Sequence, residues 1–414
     1  MTETQHEEPI EEDWRNSRAG MVLLVGLILL LGIRGSWSAV AIVLAIVVMI
    51  FLHELGHYLT AKWAGMKVTE FFLGFGPKLW SFQRGETTYG IKAIPAGAYV
   101  KIIGMSNLDE VDPADEDRTY RAKPYWRRLS VAVAGSTMHF LIAFVLICVV
   151  FMGFGVQDAG SDQWTLRSVS GPALKAGLKP GDRIITVNGK HYSSFDAMSA
   201  AVRKRPGQAT EVVVERNGVR RTFTPTLATR NPVTGDHVGY LGVGPKFDMV
   251  RKGVASGVVE GVKAMGTTAK ESVVGLGRVF SPSGISRYVD NLTTTNDAPA
   301  GSVARTEQQD RPTSMVGIVQ IGSEAAKDGI VNVLYLLFVV NMFIGLFNLT
   351  PLLPFDGGHV VIATYEKIRS MISGRRYQAD VAKLMPLTYA VVMVLGLLFI
   401  TSIYLDIAKP ISIR

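Results

Sequence analysis

The chain has 414 residues, 48% of them hydrophobic, and a formal charge of +8 at pH 7. Its basic residues cluster in loops flanking apolar runs rather than on one soluble face, which excludes a nucleic-acid-binding signature. The single cysteine, Cys148, excludes an intrachain disulfide. The average composition conceals a segregation between long apolar runs and a polar middle, and this predicts a polytopic α-helical membrane protein.

Residues 1–18 are polar and acidic (Glu7, Glu8, Glu11, Glu12, Asp13), the wrong charge for the start of a cleavable signal peptide, and read as a disordered cytoplasmic tail. The apolar run 19–33 is short for a membrane crossing. Arg15 and Arg18 before it favour an extra span, with its N-terminal side inside, over a segment lying at the interface.

The main apolar helix covers 36–65. Ser36 to Leu52 carries no charge, and the run passes without a turn residue into His53-Glu54-Leu55-Gly56-His57. Residues i and i+4 of a helix share a face, so His53 and His57 can aim both imidazoles at one metal ion. Glu54 beside them can hold a water that the metal has acidified. The motif also arises by chance. Two histidines and a glutamate inside or at the edge of a bilayer are costly, however, and such residues mark function or pair with one another. A metal site near one end of a membrane helix is the expectation.

The loop 66–128 holds Lys78, Arg84, Lys92, Lys101, Arg118, Arg121, Lys123, Arg127 and Arg128, which places it on the cytoplasmic side. Within it, Phe71 to Pro77 is apolar and glycine-rich, and Thr87 to Ile103 reads as strand broken at Pro95-Ala96-Gly97. Two arrangements fit. One is a hairpin dipping into the membrane under protein cover and offering an edge to an extended peptide; the other is a small cytoplasmic sheet. Asp109 to Asp117 reads as an acidic, solvated loop. The next span, 129–154, runs outward. It contains His139, whose expected role is a hydrogen bond to a neighbouring helix, since nothing sets it at ligand spacing with the first pair.

Residues 165–228 change character, with strand-like alternation and turn glycines. Gly177-Leu178-Lys179-Pro180-Gly181-Asp182-Arg183-Ile184 leads into a strand and the Asn188-Gly189 turn; a helix over Ser194 to Arg205 and a hairpin at Asn217-Gly218 follow. This segment resembles a PDZ domain of the bacterial type, which implies binding of extended peptides or C-termini in a groove beside a strand. Coming after an outward span, it is expected to be extracytoplasmic. Within 229–330, Gly253 to Phe280 has the spacing of an amphipathic helix, and Pro282 to Thr313, rich in Ser, Thr, Asn, Asp and Pro, reads as a flexible linker.

The third core span, 331–350, runs inward and delivers Asn348-Leu349-Thr350-Pro351-Leu352-Leu353-Pro354-Phe355-Asp356-Gly357-Gly358-His359. An Asp-Gly turn leaving the bilayer would look similar. Against it, a zinc hydrolase needs three protein ligands and an open position, and the topology puts Asp356 on the same side as His57. Arg369, Arg375, Arg376 and Lys383 make 351–385 cytoplasmic, and 386–408 is the last core span, ending outside.

The H-E-x-x-H motif in a first core span, the Gly74-Phe75-Gly76-Pro77 that follows, one PDZ-like insertion and the N-x-x-P-x-x-P-F-D-G-G of the third span together resemble the site-2 intramembrane metalloproteases. More narrowly, the chain is similar to the bacterial regulator-of-sigma-E protease group in its actinobacterial, single-PDZ form, over roughly residues 37–408. The resemblance implies a site-2 protease core with a membrane-associated β-hairpin and one inserted α/β PDZ domain. It implies Zn2+ on His53, His57 and Asp356, Glu54 as general base, and Asn348 holding the substrate backbone. It also implies that the hairpin near 70–103, with Gly74 and Gly76, presents an edge to the substrate.

The implied substrates are single-span membrane proteins such as anti-sigma factors, already trimmed outside by a site-1-type protease, in regulated intramembrane proteolysis. The implied setting is the lipid bilayer of the plasma membrane, crossed several times, with the PDZ domain outside, the active site toward the cytoplasm and no nucleic acid as partner. Two departures stand out. Gly135-Ser136-Thr137-Met138-His139 replaces the family's frequent Gly-Pro-x-x-Asn, and 19–33 lies outside the four-span core. A reading from another class is a membrane-tethered PDZ adaptor with an inactive or structural metal site. It would be supported by a closing fourth ligand such as His359 or His139, and Glu54 speaks against it. A zinc-dependent lipid hydrolase is a third reading, disfavoured by the PDZ-like segment.

Overall fold

The computed structural model describes residues 26, 32–33, 36–105, 109–157, 164–232, 235–247, 249–293 and 311–409. The tail 1–18, all but three residues of the segment 19–33, and residues 294–310 of the expected linker lie outside the described residues. The chain divides into two compact units, one built from 1–146, 264–276 and 313–407, the other from 147–263, 277–312 and 408–414.

In the first unit Ser36 caps helix α1 (Trp37–Trp63), its hydroxyl accepting the Ser38 N–H at 3.2 Å. The chain leaves the helix at Gly65, whose φ of +70° suits a residue without a side chain. Strands β1 (Val68–Arg84) and β2 (Thr87–Ile102) form one sheet, in which each long strand folds back on itself. The register places 68–73 between two partners. It pairs antiparallel with 98–102 (Val68 opposite Ile102, Leu73 opposite Ala98) and runs alongside 88–91 in rising register (Glu70 opposite Thr88, Leu73 opposite Ile91). The arm 78–84 then pairs with 87–92. Segments 78–84 and 98–102 are therefore the sheet's edges.

Helix α2 (Tyr125–Val149) continues through a wider turn over Val150–Phe154. Four helices among the described residues are long and apolar enough to cross a membrane: Trp37–Trp63, Tyr125–Phe154, Ile330–Asn348 and Val381–Ala408. Lipid tails are as apolar as leucine, so such helices associate through close packing of small residues and a few buried polar ties. Ile42, Ile46 and Met49 of α1 pack with Leu337 and Val340. At Gly56 a Cβ would lie 2.9 Å from the Ala134 carbonyl oxygen, so that glycine sets how near α1 and α2 approach.

In the second unit β3 (Val156–Gln157) is followed by β4 (Trp164–Val169), helix α3 (Gly171–Lys175), β5 (Arg183–Val187), helix α4 (Phe195–Arg203), β6 (Val212–Arg216), β7 (Val219–Phe223) and β8 (Val243–Phe247). Five strands make an antiparallel sheet in the order β7-β6-β5-β4-β8. Val212 and Val214 point into a core with Trp164, Leu166, Leu178, Ile184, Met198, Val202 and Leu241, as alternation in a half-buried strand requires. Asn217 and Gly218 both have positive φ, the signature of a two-residue hairpin turn.

Two expectations need correction here. The fifth strand lies past residue 228, where the compact segment was expected to stop; β8 is short and contains Pro245, which an edge strand tolerates, and only its pairing with β4 makes it legible. The stretch from Pro282 is not all linker. After β9 (Met249–Val250), which pairs with β3, and helix α5 (Val254–Val279), helix α6 covers Pro282–Thr293. Ser281 accepts the Gly284 N–H at 3.0 Å and Pro282 occupies the first helical position, so the polar, proline-containing sequence is a helix start.

The first unit resumes with α7 (Met315–Lys327), α8 (Ile330–Asn348), α9 (Asp356–Ser373) and α10 (Met385–Ala408). Ser314 caps α7, and its N–H and hydroxyl both donate to Asp406 of α10 at 2.7 Å.

Candidate metal centre

His53 and His57 lie one turn apart near the C-terminal end of α1, so their rings share a face, with centroids 4.9 Å apart and a 73° angle between planes. Asp356 enters from the first turn of α9. Its approach depends on the next two residues: at Gly357 and Gly358 a Cβ would collide with the backbone of the 349–353 turn, so only glycines let α9 start this close to the end of α8.

The three side chains converge. His53 Nε2 and His57 Nε2 stand 3.2 Å apart, and Asp356 Oδ2 lies 3.6 Å from the first and 3.4 Å from the second. One ligand atom from each lies within 4.8 Å of the others. Glu54 sits beside them, its carboxylate 3.9 Å from His53 Nε2.

Helix α2 closes the other side of the cluster. A Cβ at Gly135 would strike the His53 and His57 rings, so a residue without a side chain is what lets α2 lie against both imidazoles. The Val131 carbonyl accepts a hydrogen bond from His57 Nδ1 at 2.8 Å. A carbonyl can only accept, so Nδ1 carries a proton; in the neutral imidazole this leaves Nε2 as the lone-pair nitrogen, facing Asp356 and His53. The Glu54 carboxylate takes the backbone N–H of Val100, on the 98–102 edge of the sheet.

These donors fit a zinc ion. With metal–ligand distances of about 2.0–2.1 Å, the edges of a tetrahedral site measure about 3.3–3.4 Å, close to the separations the three atoms show. Asp356 Oδ2, a buried acceptor, has no hydrogen-bond donor among the described residues. Two imidazole nitrogens and a carboxylate oxygen brought this close together are a donor set that suits a cation.

Other residues singled out from the sequence fall around this cluster in different ways. His139 is buried, hydrogen-bonds Asn341 of α8, and also faces the His53 ring. His359 lies edge-on to Tyr120 at 6.3 Å. Among the described residues, neither histidine belongs to the converging group, which consists of His53, His57 and Asp356. Asn348 is the last residue of α8, half-buried. Gly74 and Gly76 have φ of +89° and +82°, and a Cβ on Gly74 would lie 2.8 Å from the Ile94 carbonyl oxygen, so both serve the fold-back of the sheet. Sequence reasoning named Gly135 only within the stretch that departs from the family's Gly-Pro-x-x-Asn, without this role, and did not reach the Val131 carbonyl or the Val100 N–H.

Membrane-length helices around a two-histidine, one-carboxylate cluster with a glutamate alongside define a metal-dependent membrane hydrolase. Residues 41–395 match peptidase family M50. The chain is 34% identical over 405 residues to zinc metalloprotease Rip1 of Mycobacterium tuberculosis, an alignment covering 89% of this chain and 97% of the relative. It is 35% identical over 406 residues to the Rip1 of Mycolicibacterium smegmatis, with the same coverage of 89% and 97%. The chain belongs to peptidase family M50 and is a zinc metalloprotease.

Proposed function

We propose that this protease works within the membrane, cutting single-span membrane proteins near the cytoplasmic face, with His53, His57 and Asp356 as zinc ligands and Glu54 as general base. The observation that carries the proposal is the convergence of the three ligand atoms within 4.8 Å, on helices long enough to span a bilayer and with Glu54 at the cluster's side. Zinc held there supplies Lewis acidity and acidifies water. Glu54 accepts a proton from the attacking water and returns it to the leaving amine. The Val131 carbonyl keeps His57 in the tautomer that ligates.

A helical substrate must unwind first, because its carbonyls are engaged in i to i−4 hydrogen bonds. The edge 98–102 offers replacement partners to an extended segment beside Glu54. Asn348, Gly74 and Gly76 are proposed as further backbone contacts.

The second unit is read as a PDZ domain. A groove of about 210 Å³ runs between α4 and β8, lined by Phe195, Met198, Val202, Leu241, Gly242 and Val243. Because β8 is an edge strand, an extended peptide or a free C-terminus can add there. The Lys- and Arg-rich loops 66–128 and 351–385 favour a cytoplasmic active site and an outer PDZ domain. In this reading the substrates are of the anti-sigma class, trimmed beforehand by a site-1-type protease, and the outer domain admits only trimmed forms.

The test is cleavage of a co-expressed, tagged single-span anti-sigma-type substrate whose outer domain has been removed. Parent protein cleaves it, while Glu54→Gln and Asp356→Asn each lose cleavage by about a hundredfold or more. Glu54→Gln retains zinc and Asp356→Asn does not. Cleavage that survives Glu54→Gln overturns the assignment of the base.

A further inference from the structure

We propose that α9 is an interfacial helix. An apolar stripe on its outer side lies in the leaflet at the metal-site end of the spans, and the cations flanking that stripe take the headgroups of anionic phospholipid.

On an ordinary surface helix the side turned away from the core is polar. Helix α9 reverses this. Ala363 and Glu366 are buried and mark its inner side. Val361, Tyr365, Ile368 and Ile372 recur at i, i+4, i+7 and i+11, which share one face of a helix. At 3.6 residues per turn that face points nearly opposite to Ala363 and Glu366. All four residues are exposed, from 46% at Val361 to 78% at Ile372. Yet α9 is not one of the four helices apolar enough to cross a membrane. An apolar face turned outward on a helix of modest overall hydrophobicity is the pattern of a segment lying in a membrane interface.

Charge points the same way. Of the acids on α9, Asp356 belongs to the metal cluster, and Glu366 is buried and paired with Arg128. The exposed charges are cations. Lys367 and Arg369 fall on either side of the stripe, and Arg375 follows Gly374, where the helix ends. Basic residues flanking an apolar stripe are attracted to anionic lipid.

The neighbours of α9 set its depth. The Thr364 hydroxyl lies 3.3 Å from that of Tyr125, the first residue of α2. The Tyr125 ring stands 4.9 Å from that of Trp126, which is exposed, as is Trp63 at the end of α1. Exposed tryptophans at the ends of membrane-length helices mark the headgroup level. The middle of α9 is held at that level. The chain reaches α9 from one membrane-length helix, Ile330–Asn348, and leaves it for another, Val381–Ala408.

The experiment places a nitroxide at Ile368→Cys in the full-length protein, with Cys148→Ala removing the native thiol, in phosphatidylcholine nanodiscs containing phosphatidylglycerol. Reference labels sit at Leu397→Cys, exposed on the last membrane-length helix, and at Arg220→Cys on the exposed strand β7. Oxygen is expected to reach the Ile368 label more readily than a water-soluble nickel chelate does, as at Leu397 and opposite to Arg220. Ile372→Cys repeats the measurement should Ile368→Cys not fold. A label that favours the nickel chelate, or one that neither reagent reaches because a second copy or another protein segment covers it, overturns the proposal. Spin-labelled lipids read the headgroup contact. The parent is expected to immobilise phosphatidylglycerol in preference to phosphatidylcholine, and the combined Lys367→Gln, Arg369→Gln and Arg375→Gln variant to lose part of that preference. A preference unchanged in the triple variant overturns the assignment of anionic lipid.

Discussion

Gly135 has no side chain because two imidazoles occupy the space a Cβ would need. Gly135→Ala must therefore push the α2 backbone away or turn both rings out of their convergence. Misplacing catalytic groups by about 1 Å can cost about a hundredfold in rate. The expected result is zinc content per protein falling well below the parent's and cleavage falling about a hundredfold, with the protein still accumulating in the membrane. Parent-like zinc content would show that α2 can retreat without disturbing the rings. The sequence told less of this residue than of its neighbours in space. His53, Glu54 and His57 are legible because a fixed spacing carries their chemistry, and Asp356 because an acid embedded among apolar residues is expensive. The Val131 carbonyl and the Val100 N–H are backbone groups, which every residue possesses, so no residue type announces them. Asn341 did leave a signal, an amide in an uncharged run, but its partner His139 lies on another helix and spacing along the chain could not join them.

Among the elements, the sheet beside α1 bears most directly on substrate. A carboxylate can only accept, so the bond between Glu54 and Val100 uses the Val100 N–H, which faces α1 rather than the neighbouring strand. Proline is tolerated at such an outward edge position, so Val100→Pro removes one donor and spares the sheet's internal pairing. Losing that hydrogen bond to the Glu54 carboxylate, of about 0.5–1.5 kcal/mol, is expected to lower kcat/KM about 3- to 10-fold. Unchanged kcat/KM, with the hairpin shown intact by hydrogen exchange, would show that the Val100 bond does not hold Glu54 in its working position. A second tie acts on the metal site from behind. Arg128, near the start of α2, pairs with Glu366 of α9 at 2.6 Å, and Glu366 also accepts the Ala379 N–H at 2.7 Å. Helix α9 opens with Asp356, so this buried pair joins the helix bearing Gly135 to the one bearing the carboxylate. The repeated fold-back of β1 and β2 was only partly legible. A broken strand at Pro95-Ala96-Gly97 shows in the residues, but which arm neighbours which is fixed by non-local pairing.

At the scale of the whole molecule each unit has its own internal chemistry, and the second carries a tie that acid should loosen. The first unit's spans associate through close contacts such as that of Gly56 with α2, alongside a few polar ties such as Arg128–Glu366 and Ser314–Asp406. The second unit has a soluble-type core and a buried charge at its rim. Asp182, 1% exposed, accepts from Arg216 Nε at 2.5 Å, Arg216 Nη2 at 2.7 Å and the Lys179 N–H at 2.8 Å. Burial alone would raise this carboxyl, but the Arg216 fork and the Lys179 N–H outweigh it and hold the group below its ordinary range. A carboxyl depressed in the folded state contributes stability that is fully present above its unfolded value of about 3.9 and is lost as pH falls through the lower folded value. Native-state hydrogen exchange on the full-length protein, corrected for the intrinsic pH dependence, should therefore show β5 and β6 losing protection below pH of about 4. Arg216→Met strands the Asp182 charge and should destabilise the second unit at neutral pH. That cost should shrink on acidification, because protonating Asp182 removes the uncompensated charge. Equal losses for parent and variant across the whole pH range would show that this pair does not set the unit's acid tolerance.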